Sequence, residues 1–124
     1  MSNAVAVANA YIDAYNVGDD DELLALCASD IRVVHHNRGL DVTGRDAFAH
    51  ALGIVDLLFP DKHFGNRKVV HQAGETAVIT HTWTGTAEAT VPGLAVRAGD
   101  RASIDLCSIY TVRDGLIVAY HDYG

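Results

Sequence analysis

The chain has 124 residues, 49% hydrophobic and 20% charged, which is the size and make-up of one globular domain able to bury about two-thirds of its unfolded surface. A net charge of -7 argues against a nucleic-acid partner, because phosphate contacts draw on a clustered surplus of Lys and Arg. No apolar run approaches the roughly 18 residues of a membrane span, and Met1 to Ala10 lacks the basic start and unbroken apolar core of a secretory signal, so a cytoplasmic protein without a membrane partner is expected.

In chain order, Val5, Ala8, Ile12 and Tyr15 recur at spacings of three and four and predict a first helix ending near Gly18, with Tyr11 beside its apolar face. Asp19 and Glu22 have the spacing of a capping box, and Leu23, Leu24, Leu26 and Cys27 then supply the apolar side of a short second helix that stops by Ser29. From Ile31 to Asn37 the chain alternates: Ile31, Val33, His35 and Asn37 on one face, Arg32, Val34, His36 and Arg38 on the other, with the two arginines marking the wet side. A third helix is expected from Thr43 or Gly44, with Phe48, Ala51, Leu52, Val55 and Phe59 inward, until Pro60 ends it. Period-two segments follow near His63 to Gln72, Thr76 to Glu88, Arg101 to Val112 and Leu116 to Tyr123, with turns at Gly74 and Asp114-Gly115. Early helices followed by hairpin-linked strands predict a single α+β domain: three helices on one side of a curved antiparallel sheet, enclosing a pocket at one end.

Polar side chains that face into such a pocket are the candidates for chemistry. His35 points inward by strand phase, and imidazole both accepts and donates a proton near neutral pH. Asp122 shares a strand face with Val118 and Tyr120, an expensive position for a carboxyl unless it is used. Tyr11 and Tyr15 stand one helical turn apart and can aim hydroxyls at developing negative charge. Phe59, Trp83 and Tyr110 are candidate walls of the pocket. The competing account for each is plain core packing or a surface pair.

Of the seven histidines, His35 and His36 project from opposite strand faces, and His50, His63, His71, His81 and His121 show no ligand spacing, so no bound metal is expected. No phosphate-cradling glycine loop and no G-x-S-x-G nucleophile motif is present, and no cofactor is expected. Cys27 and Cys107 are read as small buried hydrophobes.

Tyr15-Asn16-Val17-Gly18-Asp19, Gly44-Arg45-Asp46, Phe59-Pro60-Asp61, Thr84-Gly85-Thr86 and the run from Asp114-Gly115-Leu116-Ile117 to Asp122-Tyr123 together resemble the SnoaL-like branch of the nuclear transport factor 2-like superfamily. That superfamily includes polyketide cyclases, ketosteroid isomerases and limonene epoxide hydrolases, and the likeness runs over nearly the whole chain. It implies a cone-shaped fold and a homodimer formed through the sheet. By this resemblance His35 falls where ketosteroid isomerases carry their general base, and Tyr11 falls on their enolate-stabilising tyrosine. The acid partner of that tyrosine is replaced at Ser108, with Asp105 on the opposite strand face. Asp122 and Asn37 resemble two members of the water-activating site of the epoxide hydrolases, whose remaining Arg and Asp are replaced by Thr82 and Thr84. The cyclases' usual histidine after Gly85-Thr86 is replaced by Ala87.

The resemblance and the residues together imply a cofactor-independent acid–base enzyme, an isomerase, cyclase or dehydratase, acting on a small apolar oxygenated molecule such as a polyketide or terpenoid. In it His35, Asp122 and Tyr11 are catalytic, while Tyr15, Asn37, Phe59, Trp83 and Tyr110 contact the substrate. The alternatives are an epoxide hydrolase and a non-catalytic module that binds a small ligand.

Overall fold

The computed structural model describes residues 3–91 and 96–124. Helix α1 (Ala4–Asn16) starts where the Asn3 side chain accepts from the Ala6 N–H, and it buries Ala8, Tyr11, Ile12 and Tyr15. It ends at Gly18, whose φ of +74° suits glycine. Helix α2 (Asp20–Ala25) is capped by Asp19, which accepts from the Glu22 N–H at 3.1 Å.

Cys27 does not belong to that helix. It opens strand β1 (Cys27–His36), because the Leu26 carbonyl accepts from the Ile117 N–H at 2.8 Å and the chain is captured by the sheet one turn earlier than its apolar pattern suggests. The thiol, buried and donating to the Leu23 carbonyl, is pushed up to about 12 by burial. A short strand β2 (Leu40–Thr43), not anticipated from the sequence, turns back onto β1. Helix α3 (Arg45–Leu58) begins after Gly44 and ends at Phe59 and Pro60 as expected.

The segment expected as one strand from His63 to Gln72 is two, β3 (His63–Gly65) and β4 (Val70–Ala73), both paired with β5 (Thr76–Thr86). Asn66, with φ of +55°, interrupts the extended run between them. Strands β6 (Arg101–Arg113) and β7 (Leu116–Tyr123) complete the sheet, joined by a hairpin in which Asp114 and Gly115 both take positive φ.

Among the described residues the sheet has seven strands in the order β2-β1-β7-β6-β5-β3, with β4 also on β5. Every pairing is antiparallel except β1 with β7, which is parallel. The expected antiparallel sheet is corrected there: the chain between these two strands runs through α3 and five further strands, so no hairpin dictates their direction. Helix α1 packs across β3 to β7 and α3 across β1 and β2, on the concave side of the curved, unclosed sheet. A single apolar core lies between the layers, and the space left between the two helices is a cavity. No helix among the described residues is long and apolar enough to cross a membrane.

Candidate active site

The parallel pairing of β1 with β7 decides what meets in the cavity. It sets His35 directly beside Asp122, and the next strand sets Ser108 beside Asp122 in turn. Residues in one row across a sheet point to the same face. Leu40, His35, Asp122, Ser108 and Ile79 therefore form one band across the concave side.

Asp122 is only 1% exposed, and a carboxylate so placed needs partners for both oxygens. Oδ1 accepts from Arg38 Nη2 at 2.5 Å, and Oδ2 accepts from the Tyr120 hydroxyl at 2.9 Å. His35 Nε2 approaches Oδ2 to 3.5 Å, a contact that a small shift converts into a hydrogen bond. Arg38, read from strand alternation as a wet-face residue, is the main partner of Asp122. The alternation ends at His36, and a turn in which Asn37 and Gly39 both take positive φ brings the Arg38 side chain back to the concave end.

Burial is the largest influence on His35 and lowers its pKa; the Asp122 carboxylate pulls it upward and the Arg38 guanidinium pushes it down again. The imidazole is thus held neutral at pH 7, with Asp122 poised beside it should it gain a proton. With the ring hydrogen on Nε2, toward Asp122, Nδ1 keeps the free lone pair of a base.

The cavity, about 120 Å³, is lined by His35, Arg38, Asp122, Tyr11, Tyr15 and Tyr120 among mostly apolar neighbours from α3, β2, β3, β5 and β6. Tyr11 lies against Tyr110 and Tyr120, ring centroids 5.6 and 5.5 Å away. Its phenol is pushed well above its ordinary range by desolvation, with neighbouring tyrosines and Asp122 adding to the effect, so it stays a neutral hydrogen-bond donor. Tyr15 also lines the cavity; its oxygen accepts from Trp83 Nε1 at 2.8 Å, and Lys62, paired with Asp56, sits 4.8 Å over its ring. Phe59 and Trp83 form the far wall in an edge-on contact of 4.9 Å. They meet because Gly85 has no side chain: a Cβ there would stand 2.9 Å from the Trp83 ring and 3.1 Å from Phe59.

Two residues expected to contact substrate lie elsewhere. Asn37 is exposed in the β1–β2 turn, since its positive φ ends the strand before its side chain can face inward. Tyr110 is fully buried but lies behind the cavity, stacked on Tyr120 at 4.8 Å under Tyr11. Sequence reasoning missed Arg38 and passed over Tyr120 as an apolar neighbour. Tyr120, two residues before Asp122 on the same face, carried a usable signal, whereas Arg38 carried none, because its placement depends on the turn.

A family model described as a SnoaL-like domain matches residues 8–120. Among solved structures, the chain is similar to a candidate polyketide cyclase from Pseudomonas putida KT2440 at 25% identity, covering 100% of this chain and 92% of that one with a TM-score of 0.87. It is also similar to a candidate polyketide cyclase from Xanthomonas campestris pv. campestris at 28% identity, covering 98% and 89% with a TM-score of 0.85. A cystatin-fold protein from Novosphingobium aromaticivorans shares the fold at 23% identity, covering 100% and 99% with a TM-score of 0.81. No curated protein matches. The chain belongs to the SnoaL-like domain family.

Proposed function

We propose that this protein is a cofactor-independent acid–base enzyme, an isomerase, cyclase or dehydratase acting on a small apolar oxygenated molecule of the polyketide or terpenoid kind. The observation that carries this reading is a neutral imidazole and a paired carboxylate side by side in an otherwise apolar cavity. His35 removes a proton from the carbon next to a carbonyl, and the charge it gains is balanced by Asp122. Tyr11 donates a hydrogen bond to the enolate oxygen as negative charge collects there. The proton on His35 is then returned to the rearranged skeleton or to a departing hydroxyl. Arg38 and Tyr120 hold the carboxylate still, and Phe59 and Trp83 keep the far wall dry. The similarity to candidate polyketide cyclases supports the substrate class.

The epoxide-opening alternative draws less support, because the asparagine meant to help hold its water, Asn37, is exposed in a turn away from the cavity. The homodimer that the family likeness implies is part of the proposal, with the outer sheet face as its contact; sedimentation velocity tests it.

The activity is tested by incubating the protein in D₂O with a panel of small cyclic ketones and 1,3-diketones and following α-proton exchange by NMR. Exchange above background that falls by about 100-fold or more in His35→Ala is the expected result. If no panel member exchanges while a ligand binds wild type and His35→Ala equally, the chain is a binding module.

A further inference from the structure

The cavity wall carries more hydrogen-bond donors than the protein itself uses. Tyr120 spends its hydrogen on Asp122 at 2.9 Å, and Trp83 Nε1 spends its own on the Tyr15 oxygen at 2.8 Å. Both oxygens of Asp122 are met, Oδ1 by Arg38 and Oδ2 by Tyr120. Three side chains keep hydrogens for which the described residues hold no acceptor. Arg38 engages Asp122 through Nη2, which leaves Nε–H and Nη1–H₂ unspent. Tyr15 accepts from Trp83 but donates to nothing, and Tyr11 neither donates nor accepts. The Tyr110 oxygen is sealed in the core, whereas that of Tyr11, also without a partner, opens on the cavity. Against these donors stands one free acceptor, the His35 lone pair. An apolar cavity with surplus donors suits a ligand that brings acceptor oxygens.

Two of the donors flank the His35–Asp122 pair from opposite sides. In the sheet order β2-β1-β7-β6 the pair sits on β1 and β7. Arg38 comes from the β1–β2 turn on one side and reaches Asp122 Oδ1 at 2.5 Å. Tyr11 comes from α1 on the other side, its ring 5.5 Å from that of Tyr120 on β7 and 5.6 Å from that of Tyr110 on β6. His35 Nε2, 3.5 Å from Asp122 Oδ2, lies between the two. Tyr15, one turn along α1, packs instead against Phe64 and Trp83 at the far wall.

We propose that the substrate is a 1,3-dicarbonyl compound: Tyr11 receives one carbonyl oxygen, Arg38 receives the other, and the carbon between them lies at His35. This rests on the reading of the cavity as an acid–base site. His35 takes a hydrogen of the central carbon as a proton. The C–H electron pair becomes a C=C bond as one carbonyl pair moves onto its oxygen, and the enolate charge is shared by two oxygens, each facing a donor. The proton on His35 is returned to the product, so the step needs no oxidant or second reactant. A carbon between two carbonyls is a far stronger acid than a carbon beside one, which suits a base weakened by burial.

The test compares two ligands of one shape, 2,2-dimethylcyclohexane-1,3-dione and 2,2-dimethylcyclohexanone, by NMR titration of the protein. Neither has a hydrogen on the carbon bearing the methyl groups, so the dione stays neutral and recognition is read apart from chemistry. The dione is expected to bind about tenfold or more tightly and to shift the Arg38 Nε–H resonance, assigned through its own side-chain carbons, while the ketone leaves one donor unused. In Tyr11→Phe one donor remains for either ligand, and the difference closes to within about twofold. Equal affinities in wild type, an Arg38 signal that the dione does not move, or a preference that Tyr11→Phe leaves whole overturns the proposal. The two wild-type measurements stand even if the variant does not fold. Ketone α-proton exchange without a preference for the dione sinks this inference and spares the acid–base reading. A preference for the dione with no exchange in any panel member sinks the acid–base reading and leaves the recognition of two oxygens in place.

Discussion

The two faces of the sheet around β2, β1 and β7 carry similar side chains, an Arg–Asp pair and histidines on each, and they behave differently. On the outer face Arg32 meets Asp41 in a two-pronged pair at 2.8 and 3.1 Å, with both side chains more than half exposed. There also His36 Nε2 lies 3.0 Å from His121 Nδ1, and His36 stacks on Tyr123. On the inner face Arg38 meets Asp122 with side-chain exposures of 15% and 2%, beside His35. The outer pair has the better geometry and the inner pair the greater consequence. Water shares the charge of Arg32 and Asp41, whereas the buried oxygens of Asp122 are met by Arg38 and Tyr120 alone, with His35 close by. Strand alternation separates His35 from His36, so one short stretch holds a pocket imidazole and an outer-face one, while the turn after His36 brings Arg38 to the inner side.

The largest expected effect comes from removing the inner cation. Arg38→Met leaves Asp122 short of its main partner and should cost about 3–5 kcal/mol in urea unfolding. The same variant should raise the His35 pKa, because the guanidinium depresses it. An unfolding loss no greater than that of Arg32→Met would erase the contrast between the faces.

Acid should come next. His81 has a folded pKa of about 4 against an ordinary 6.5, so below pH 6.5 the unfolded chain takes up a proton that the folded chain refuses. Stability therefore falls as pH drops from about 6.5 to about 4, by about 3 kcal/mol, and His35 adds loss in the same sense. His81→Gln should flatten most of that slope; an unchanged slope would place its origin elsewhere. The smallest effect belongs to the outer pair, where Arg32→Met should change stability by less than about 1 kcal/mol.

Much of this arrangement was readable from local pattern. Spacings of three and four placed Tyr15 on the buried face of α1 with Tyr11 beside it, and alternation turned His35 and Asp122 inward. What failed had a long-range cause. The parallel register that seats His35 beside Asp122 joins strands at opposite ends of the chain, and no local signal encodes it. Alternation carried past His36 misassigned both residues beyond it, sending Asn37 inward and Arg38 outward, when the positive φ of Asn37 reverses the pair. Tyr110 faces inward as expected, but α1 covers it, so strand phase alone does not separate a cavity wall from packed core. Cys27 was drawn into a helix by its apolar neighbours, while a hydrogen bond from β7 claims the chain at Leu26.

The most direct test of the account is the NMR titration of the His35 imidazole in wild type and in Asp122→Asn. The account predicts a midpoint below 6.5 in wild type, set by burial, and a further fall in Asp122→Asn, where the charge that draws it upward is gone. A wild-type midpoint at or above 6.5, or one that Asp122→Asn leaves in place, would mean that His35 and Asp122 do not share a buried site.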